Sequence, residues 1–354
     1  MFDFTGMQMK QLVVHHVGNK LRGEGFIVSP SLHHSADGNA EELLLRYFSS
    51  SFKEKVLYKF FHETDLHLNP AYMHASSIFI RPESFYEQSL NLLQHLYEKS
   101  VHPQIKGGEF YAAYFSGCRI NGQEVDALGM FKTERRDPYL KVVASRAGSS
   151  IAADQGINIR RLDKGAFIFH TESTDGYRVA IVDAVSKGDN EAMYWKEEFL
   201  RLTDVQNEYF HTRQHVDLCR DFAENVYGAE YQADKKDQVM FVHNALAYLE
   251  QEDEFQLEDF VRKVVREPEL IERFREHKQL YEINQGLPPA EAFSISEQAV
   301  KTAKRNLKGL IKLDTAIEIK VKTATAETAE DFIERGYDEK KGMHFYKVYF
   351  NAEE

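Results

Sequence analysis

GEFYAAYFSG at residues 108–117 and EVDALGMFKT at 124–133 decide the fold. Both stretches are rich in aromatic, β-branched and small apolar residues, and most of these types favour strands. Between them lies Asn121-Gly122, a dipeptide that favours the tight turn of a β-hairpin. The two stretches are therefore predicted to form adjacent antiparallel strands.

Three more strand-like runs follow in the first half of the chain: YLKVVAS (139–145), GAFIFHT (165–171) and YRVAIVDAV (177–185). The last two are separated by TDG at 174–176, which is turn chemistry. Connections this short leave no room for the crossovers that parallel strands need, so the series predicts an antiparallel meander.

The segments before this series predict two strands and two helices. KQLVVHHVGN (10–19) and GEGFIVSPSL (23–32) are interpreted as strands around a turn at Gly23 and Gly25. Residues 40–61 and 83–100 have apolar residues at helical spacing and predict one helix each.

Long helical patterns take over near SKGDN at 186–190, which predicts a domain border there, with domains at 1–188 and 189–354. In the tail, AIEIKVK (316–322) and HFYKVYF (344–350) alternate like strands. The predicted fold class is α+β: an N-terminal antiparallel sheet with helices, then a C-terminal helical region closed by a two-stranded β-ribbon.

Composition restricts the function. The 354 residues hold two cysteines, no run long and apolar enough to span a bilayer, and a formal net charge of −12. These features predict a soluble cytoplasmic protein without a disulfide framework or a membrane partner. They also exclude a surface that coats nucleic acid everywhere, because phosphate binding needs local Lys and Arg.

One segment reverses the overall sign. In KTAKRNLKGL (301–310), the cations Lys301, Lys304, Arg305 and Lys308 recur at helical spacing and share one face. Ser294 and Glu297 have the spacing of a capping box, and Gly309 is predicted to end the helix. From 297 to 322, seven Lys or Arg stand against three Asp or Glu, a local charge of +4 that includes Lys312. The stripe is a candidate phosphate contact, and its alternative is the solvated face of an amphipathic helix.

No pattern in the sequence predicts an enzyme or a cofactor site. His211 and His215 stand four apart on a predicted helix, a spacing that can bind zinc, but they follow its apolar stripe and are interpreted as core residues. A dinucleotide fingerprint, a P-loop and a Gly-x-Ser-x-Gly elbow are all missing from the sequence. We expect no catalytic residue and no metal.

Several segments together resemble the bacterial nucleoid-associated protein family usually labelled NdpA (YejK-like). The similarity rests on these stretches: QLVVHHVGN, HPQIKGGEFYAAYF, EVDALGMFKTE, YWKEEFLRLTDVQNEYFHTRQHVDLCRDF, LIKLDTAIEIKV and ERGYDEKKGMHFYKVYF. The resemblance implies a cytoplasmic protein at the nucleoid that binds double-stranded DNA, directly or through partners, and modulates DNA topology alongside topoisomerases.

Because the resemblance links the chain to DNA, it favours the interpretation of the basic stripe as a phosphate contact. Further candidates for non-specific phosphate contact occur in FKTERR and IRRLDK; they are Lys132, Arg135, Arg136, Arg160, Arg161 and Lys164. The alternative is an adaptor that docks on a DNA-processing enzyme such as a topoisomerase without touching DNA. A homodimer would double a small basic patch and strengthen attachment.

Overall fold

The computed structural model describes residues 2–33, 38–53, 56–145, 148–184, 194–307, 310–320 and 333–350. They form two compact units, Met1–Val205 and Gln206–Glu354. The predicted domain border after residue 188 lies in 185–193, outside the described residues, and stays a prediction.

The first unit holds three α-helices and eleven strands in its described residues. The helices are α1 Gly38–Ser49, α2 Pro70–Ile80 and α3 Phe85–Lys99. The strands are β1 Phe2–Asp3, β2 Gln8–Val17, β3 Phe26–Ile27, β4 Tyr58–Phe60, β5 Gly108–Ile120, β6 Gln123–Thr133, β7 Asp137–Ser145, β8 Gly148–Gly156, β9 Lys164–Phe169, β10 Arg178–Asp183 and β11 Leu202–Asp204.

Nine of these strands form one antiparallel sheet. Its order is β11-β4-β10-β9-β6-β5-β2-β3, and β1 pairs with β5 beside this path. The turn between β5 and β6 uses Asn121 and Gly122 at φ 50° and 81°, the left-handed values that a tight hairpin turn needs. The predicted antiparallel sheet and its central hairpin are confirmed.

Strand β5 is buried on both faces of the sheet. Phe110, Ala112 and Tyr114 pack into the core that contains α2 and α3, whereas the alternate residues Tyr111 and Phe115 pack into the core on the other face. On that second face, Phe48 of α1 stacks on Phe131 of β6 with ring centroids 4.1 Å apart. Because side chains alternate along a strand, one apolar segment supplies both cores.

Three predictions for this unit need correction. The run 40–61 is not one helix, because α1 ends at Ser49 and residues 58–60 form strand β4. Helix α2 was missed: it is apolar on most sides, so no helical stripe marks it, although Asn69 caps it and Pro70 begins it. YLKVVAS lies outside the main sheet, in a separate hairpin with β8, whose Gly, Ser and Ala gave no strand signal.

The second unit is mainly helical, as predicted. Its helices are α4 Glu208–Phe222, α5 Lys235–Gln251, α6 Leu257–Phe260, α7 Pro268–Asn284 and α8 Glu297–Asn306. Its strands are β12 Glu254–Gln256, β13 Ala292–Ser294, β14 Leu310–Lys312, β15 Glu318–Lys320, β16 Ile333–Asp338 and β17 Met343–Val348. They pair as three antiparallel ribbons, β12-β13, β14-β15 and β16-β17, so the predicted terminal ribbon is present.

His215 lies in the core of this unit. Its ring centroid is 4.2 Å from that of Phe255 and 4.6 Å from that of Phe260, and its Nε2 lies 3.5 Å from Cys219 Sγ. Burial and, to a smaller extent, the charge of Lys278 together lower the pKa of His215 from 6.5 to about 3. The interpretation of His215 as a core residue is confirmed.

We expect acid to destabilise the second unit through His215. The unfolded chain takes up a proton on this ring below pH 6.5, whereas the folded chain resists it down to about pH 3, so the unfolding free energy falls as pH drops through this window. The slope from one such group approaches about 1.4 kcal/mol per pH unit. His215→Gln should flatten the pH dependence measured by chemical denaturation.

The control is His102→Gln, at an exposed loop position. It should leave the slope unchanged. An unaltered slope in His215→Gln would contradict the assignment.

Candidate nucleic-acid interface

Helix α8 carries the basic stripe, and its start is fixed by Ser296. The Ser296 hydroxyl accepts a hydrogen bond from the Ala299 N–H at 3.4 Å, and the Ser296 N–H donates to Thr212 Oγ1 at 2.9 Å. The predicted cap, Ser294, instead ends β13, where it pairs with Glu254. That prediction was wrong by two residues, because spacing alone cannot show where the chain is still extended.

The apolar side of α8 fixes which way its cations face. Val300 is buried in the core of the second unit, and Ala303 and Leu307 pack against that core. Lys301 and Arg305 are exposed as a result. The predicted segregation of an apolar and a basic stripe on one helix is confirmed.

Two lysines of the stripe hold carboxylates. Lys301 Nζ lies 2.7 Å from Glu297 Oε2, and the two side chains are 74% and 86% exposed. Their hydrogen bond raises the pKa of Lys301 and lowers that of Glu297. Lys304, mostly covered, pairs with Glu250 of α5. Both predicted contacts are thus already engaged within the chain.

Arg305 is the stripe residue that is exposed and has no ionic partner among the described residues. Lys308 and the predicted helix terminator Gly309 lie outside the described residues. Lys312 lies in β14, where its backbone pairs with Glu318. In the described part of the stripe, Arg305 is therefore available to bind phosphate directly. Lys301 can bind phosphate only if its exposed ion pair with Glu297 is broken.

Lys132 is not on a surface arm. It is fully buried, and its Nζ donates to Glu134 Oε1 at 2.8 Å, to the Lys106 carbonyl at 2.6 Å and to the Tyr194 hydroxyl at 3.1 Å. Lys164 is also buried, with Asp183 as its partner at 2.8 Å. The expectation that these two lysines reach phosphate is therefore wrong. They lie at the ends of strands β6 and β9, and their side chains point into the interior of the protein.

The four arginines near these strand ends differ in availability. Arg136 pairs with Glu109, which raises the pKa of Arg136, and Arg161 Nε lies 3.8 Å from Asp163 Oδ1. Arg135 is half-buried, and its backbone N–H donates to Asp163 Oδ2 at 3.0 Å. Of the four, Arg160 is the one that is both exposed and without an ionic partner among the described residues.

His211 and His215, whose spacing could bind zinc, are not joined by a third metal ligand among the described residues. His211 stacks on Phe293, whereas His215 is enclosed by phenylalanines. A cavity of about 30 Å³ lies beside them. Across the described ranges, no group of three His, Cys, Asp or Glu is placed to hold a metal ion.

Sequence reasoning missed a pair of cations in the tail ribbon. Lys340 and Lys341 lie in the turn between β16 and β17, where both backbone N–H groups donate to Asp338 Oδ1. Their side chains are exposed and have no ionic partner among the described residues. The signal was the DEKKG turn at 338–342, which places two adjacent lysines at a hairpin tip.

The chain matches a known protein family. Residues 13–341 match the family model described as nucleoid-associated protein YejK. Among curated proteins, none matches the chain significantly. No helix in the part of the chain that the structure describes is long and apolar enough to cross a bilayer.

The buried position of Lys132 leads to a stability prediction. Lys132→Met leaves the Glu134 carboxylate, only 3% exposed, without its cation, so we expect a loss of about 3–5 kcal/mol in unfolding free energy, measured by chemical denaturation.

The matched control is the double variant Lys132→Met with Glu134→Gln. It removes both charges and keeps an acceptor for the Tyr194 hydroxyl, so it should recover most of the loss. A loss below about 1 kcal/mol in the single variant would show that this pair is not a buried ion pair.

Proposed function

The chain belongs to the family of nucleoid-associated protein YejK, as its motifs predicted, and we propose that it acts at the nucleoid by binding duplex DNA without sequence preference. Helix α8 is the principal contact in this proposal. The observation that carries it is the exposed Arg305 beside Lys301, on a helix whose opposite side is anchored in the core. Modulation of DNA topology belongs to the same proposal.

The ion pair of Lys301 does not prevent contact with phosphate. Both side chains are more than 70% exposed, and solvent screens an exposed pair of this kind so strongly that it contributes little. A phosphate oxygen therefore competes with Glu297 at little cost. Lys304 is more firmly held, because its side chain is only 24% exposed.

Few cations are available, so binding should be weak and sensitive to salt. Contacts through Lys301, Arg305 and the tail lysines Lys340 and Lys341 would involve about four phosphates. The binding constant should then fall with salt at a log-log slope of roughly −3 to −4. Phosphate contacts position a protein on the duplex without reading bases, so sequence preference should be weak.

A second candidate function is an adaptor that docks on a DNA-processing enzyme such as a topoisomerase without touching DNA. The carboxylate partners of Lys301 and Lys304 favour it, as does the net charge of −12, which repels a duplex. A random duplex that the parent chain does not bind at low salt would support this candidate.

Charge reversal on α8 tests the first candidate. Fluorescence anisotropy with a labelled random duplex, at about 50 and about 200 mM salt, should show salt-sensitive binding by the parent chain. Binding should be lost when Lys301, Lys304, Arg305 and Lys308 are changed to Glu.

The matched comparison is Lys301→Glu against Arg262→Glu, since each reverses one exposed, paired cation. Arg262 is 76% exposed and, like Lys301, is paired with a carboxylate on its own helical segment, here Asp259. Arg262→Glu changes the net charge without touching α8, so it should leave most of the binding intact. Equal losses in both variants would attribute binding to net charge rather than to this helix.

Glu297→Gln should strengthen DNA binding. The change removes a negative charge and releases Lys301, so we expect affinity to rise several-fold at low salt and the salt slope to steepen by up to about one. The same anisotropy assay measures both quantities. Weaker binding would show that Glu297 orients Lys301 for contact.

A further inference from the structure

The hairpin of β7 and β8 has an apolar face that is open to solvent. Its register pairs Leu140 with Ala153 and Val142 with Ile151, which places these four side chains on one face. Leu140, Val142 and Ile151 are 72%, 64% and 70% exposed. Three adjacent branched aliphatic side chains at this exposure form a contiguous apolar surface.

The opposite face of the hairpin is mixed. Tyr139, Lys141 and Val143 lie there, and the Tyr139 hydroxyl donates to Asp154 Oδ2 at 3.3 Å. Tyr139 and Val143 are each 46% exposed. Because both faces are exposed, the hairpin stands clear of the core of the first unit.

The apolar face of this two-stranded ribbon would be more stable if another surface packed against it. Within the described residues β7 and β8 pair only with each other, over nine residues in each strand. An isolated two-stranded ribbon is at best marginally stable in water, and packing of an apolar face supplies the missing stability. The described residues of the first unit leave this face exposed to solvent.

We propose that the apolar face of the β7–β8 hairpin packs against the same face of a second copy of this chain. The two faces would meet across a two-fold axis, so that one patch serves both partners. The four apolar side chains carry no charge, and the charged residues Lys141 and Asp154 lie on the other face. Two identical neutral faces therefore approach without direct repulsion, although each chain carries a net charge of −12.

Charge also argues for a second copy rather than nucleic acid. Lys141 is the only cation in the described hairpin residues, and it is directed away from the apolar face. A phosphate backbone would find no partner on Leu140, Val142 or Ile151. A projecting arm also allows contact while the acidic bodies of the two chains stay apart.

The size of the face sets the strength of the dimer. Each of its large side chains buries roughly 60–120 Å² of apolar surface. The three large side chains together bury roughly 180–360 Å² per partner, less than half of the roughly 800 Å² of a standard interface. We therefore expect a weak, reversible dimer that forms only at high protein concentration.

Sedimentation velocity over a concentration series tests the proposal with two adjacent substitutions. Val142→Asp places a charge on the apolar face and should weaken the dimer at least about tenfold. Val143→Asp places the same charge on the opposite face and should leave the dimer intact. Both positions are exposed, so the unfolding transition should be unchanged in each variant.

Cross-linking distinguishes the geometry. Ala153→Cys on the apolar face should give a covalent dimer with a short bismaleimide, whereas Ala152→Cys, the adjacent residue on the opposite face, should not. The native Cys118 and Cys219 are both buried and should not react in the folded chain.

A parent chain that stays monomeric at high concentration would overturn the proposal. So would equal effects of the two Asp variants, or equal cross-linking of the two Cys variants, since edge pairing or another surface would then join the chains. The proposal does not depend on DNA binding, because every measurement is made without DNA.

Discussion

The fold of the first unit depends on the burial of strand β5 from both sides. One segment, Gly108–Ile120, sends Phe110 and Tyr114 into one core and Tyr111 and Phe115 into the other. Each buried aromatic side chain removes a large apolar area from water, so this segment is a large source of stability for the sheet. The helices on either side are held because each covers one face of the same strand.

The same burial of the sheet on both faces also buries two lysine side chains at the ends of its strands. Lys132 and Lys164 belong to strands β6 and β9, neighbours in the sheet, and the alternation of side chains directs their ammonium groups inward. Burial disfavours the charged form and lowers the pKa of Lys132, while Glu134 opposes that shift. Burial also raises the pKa of Asp163, although two backbone N–H groups stabilise its carboxylate. These residues are held as paired charges and are lost to any surface function.

On α8 the available cations are few. In this acidic chain many Lys and Arg lie beside carboxylates, as Glu297 and Glu250 show for Lys301 and Lys304. Exposed pairs exchange readily with phosphate, whereas partly covered ones do not, so the exposed fraction of a side chain decides its availability more than its place in a sequence pattern does. The β7–β8 hairpin presents the opposite chemistry, an uncharged face suited to another protein surface.

The sequence by itself determined the strands β5 and β6 and their tight turn, the helical second half, the family, and the amphipathic character of α8. These follow from local periodicity and turn chemistry, which act over a few residues. It could not show that residues 58–60 leave a helical run to join the main sheet, that α2 forms without a stripe, or that Ser296 rather than Ser294 caps α8. Only the tertiary structure decided which cations are buried, paired or free, because each of those states depends on partners that are distant along the chain, such as Tyr194 for Lys132 and Glu250 for Lys304.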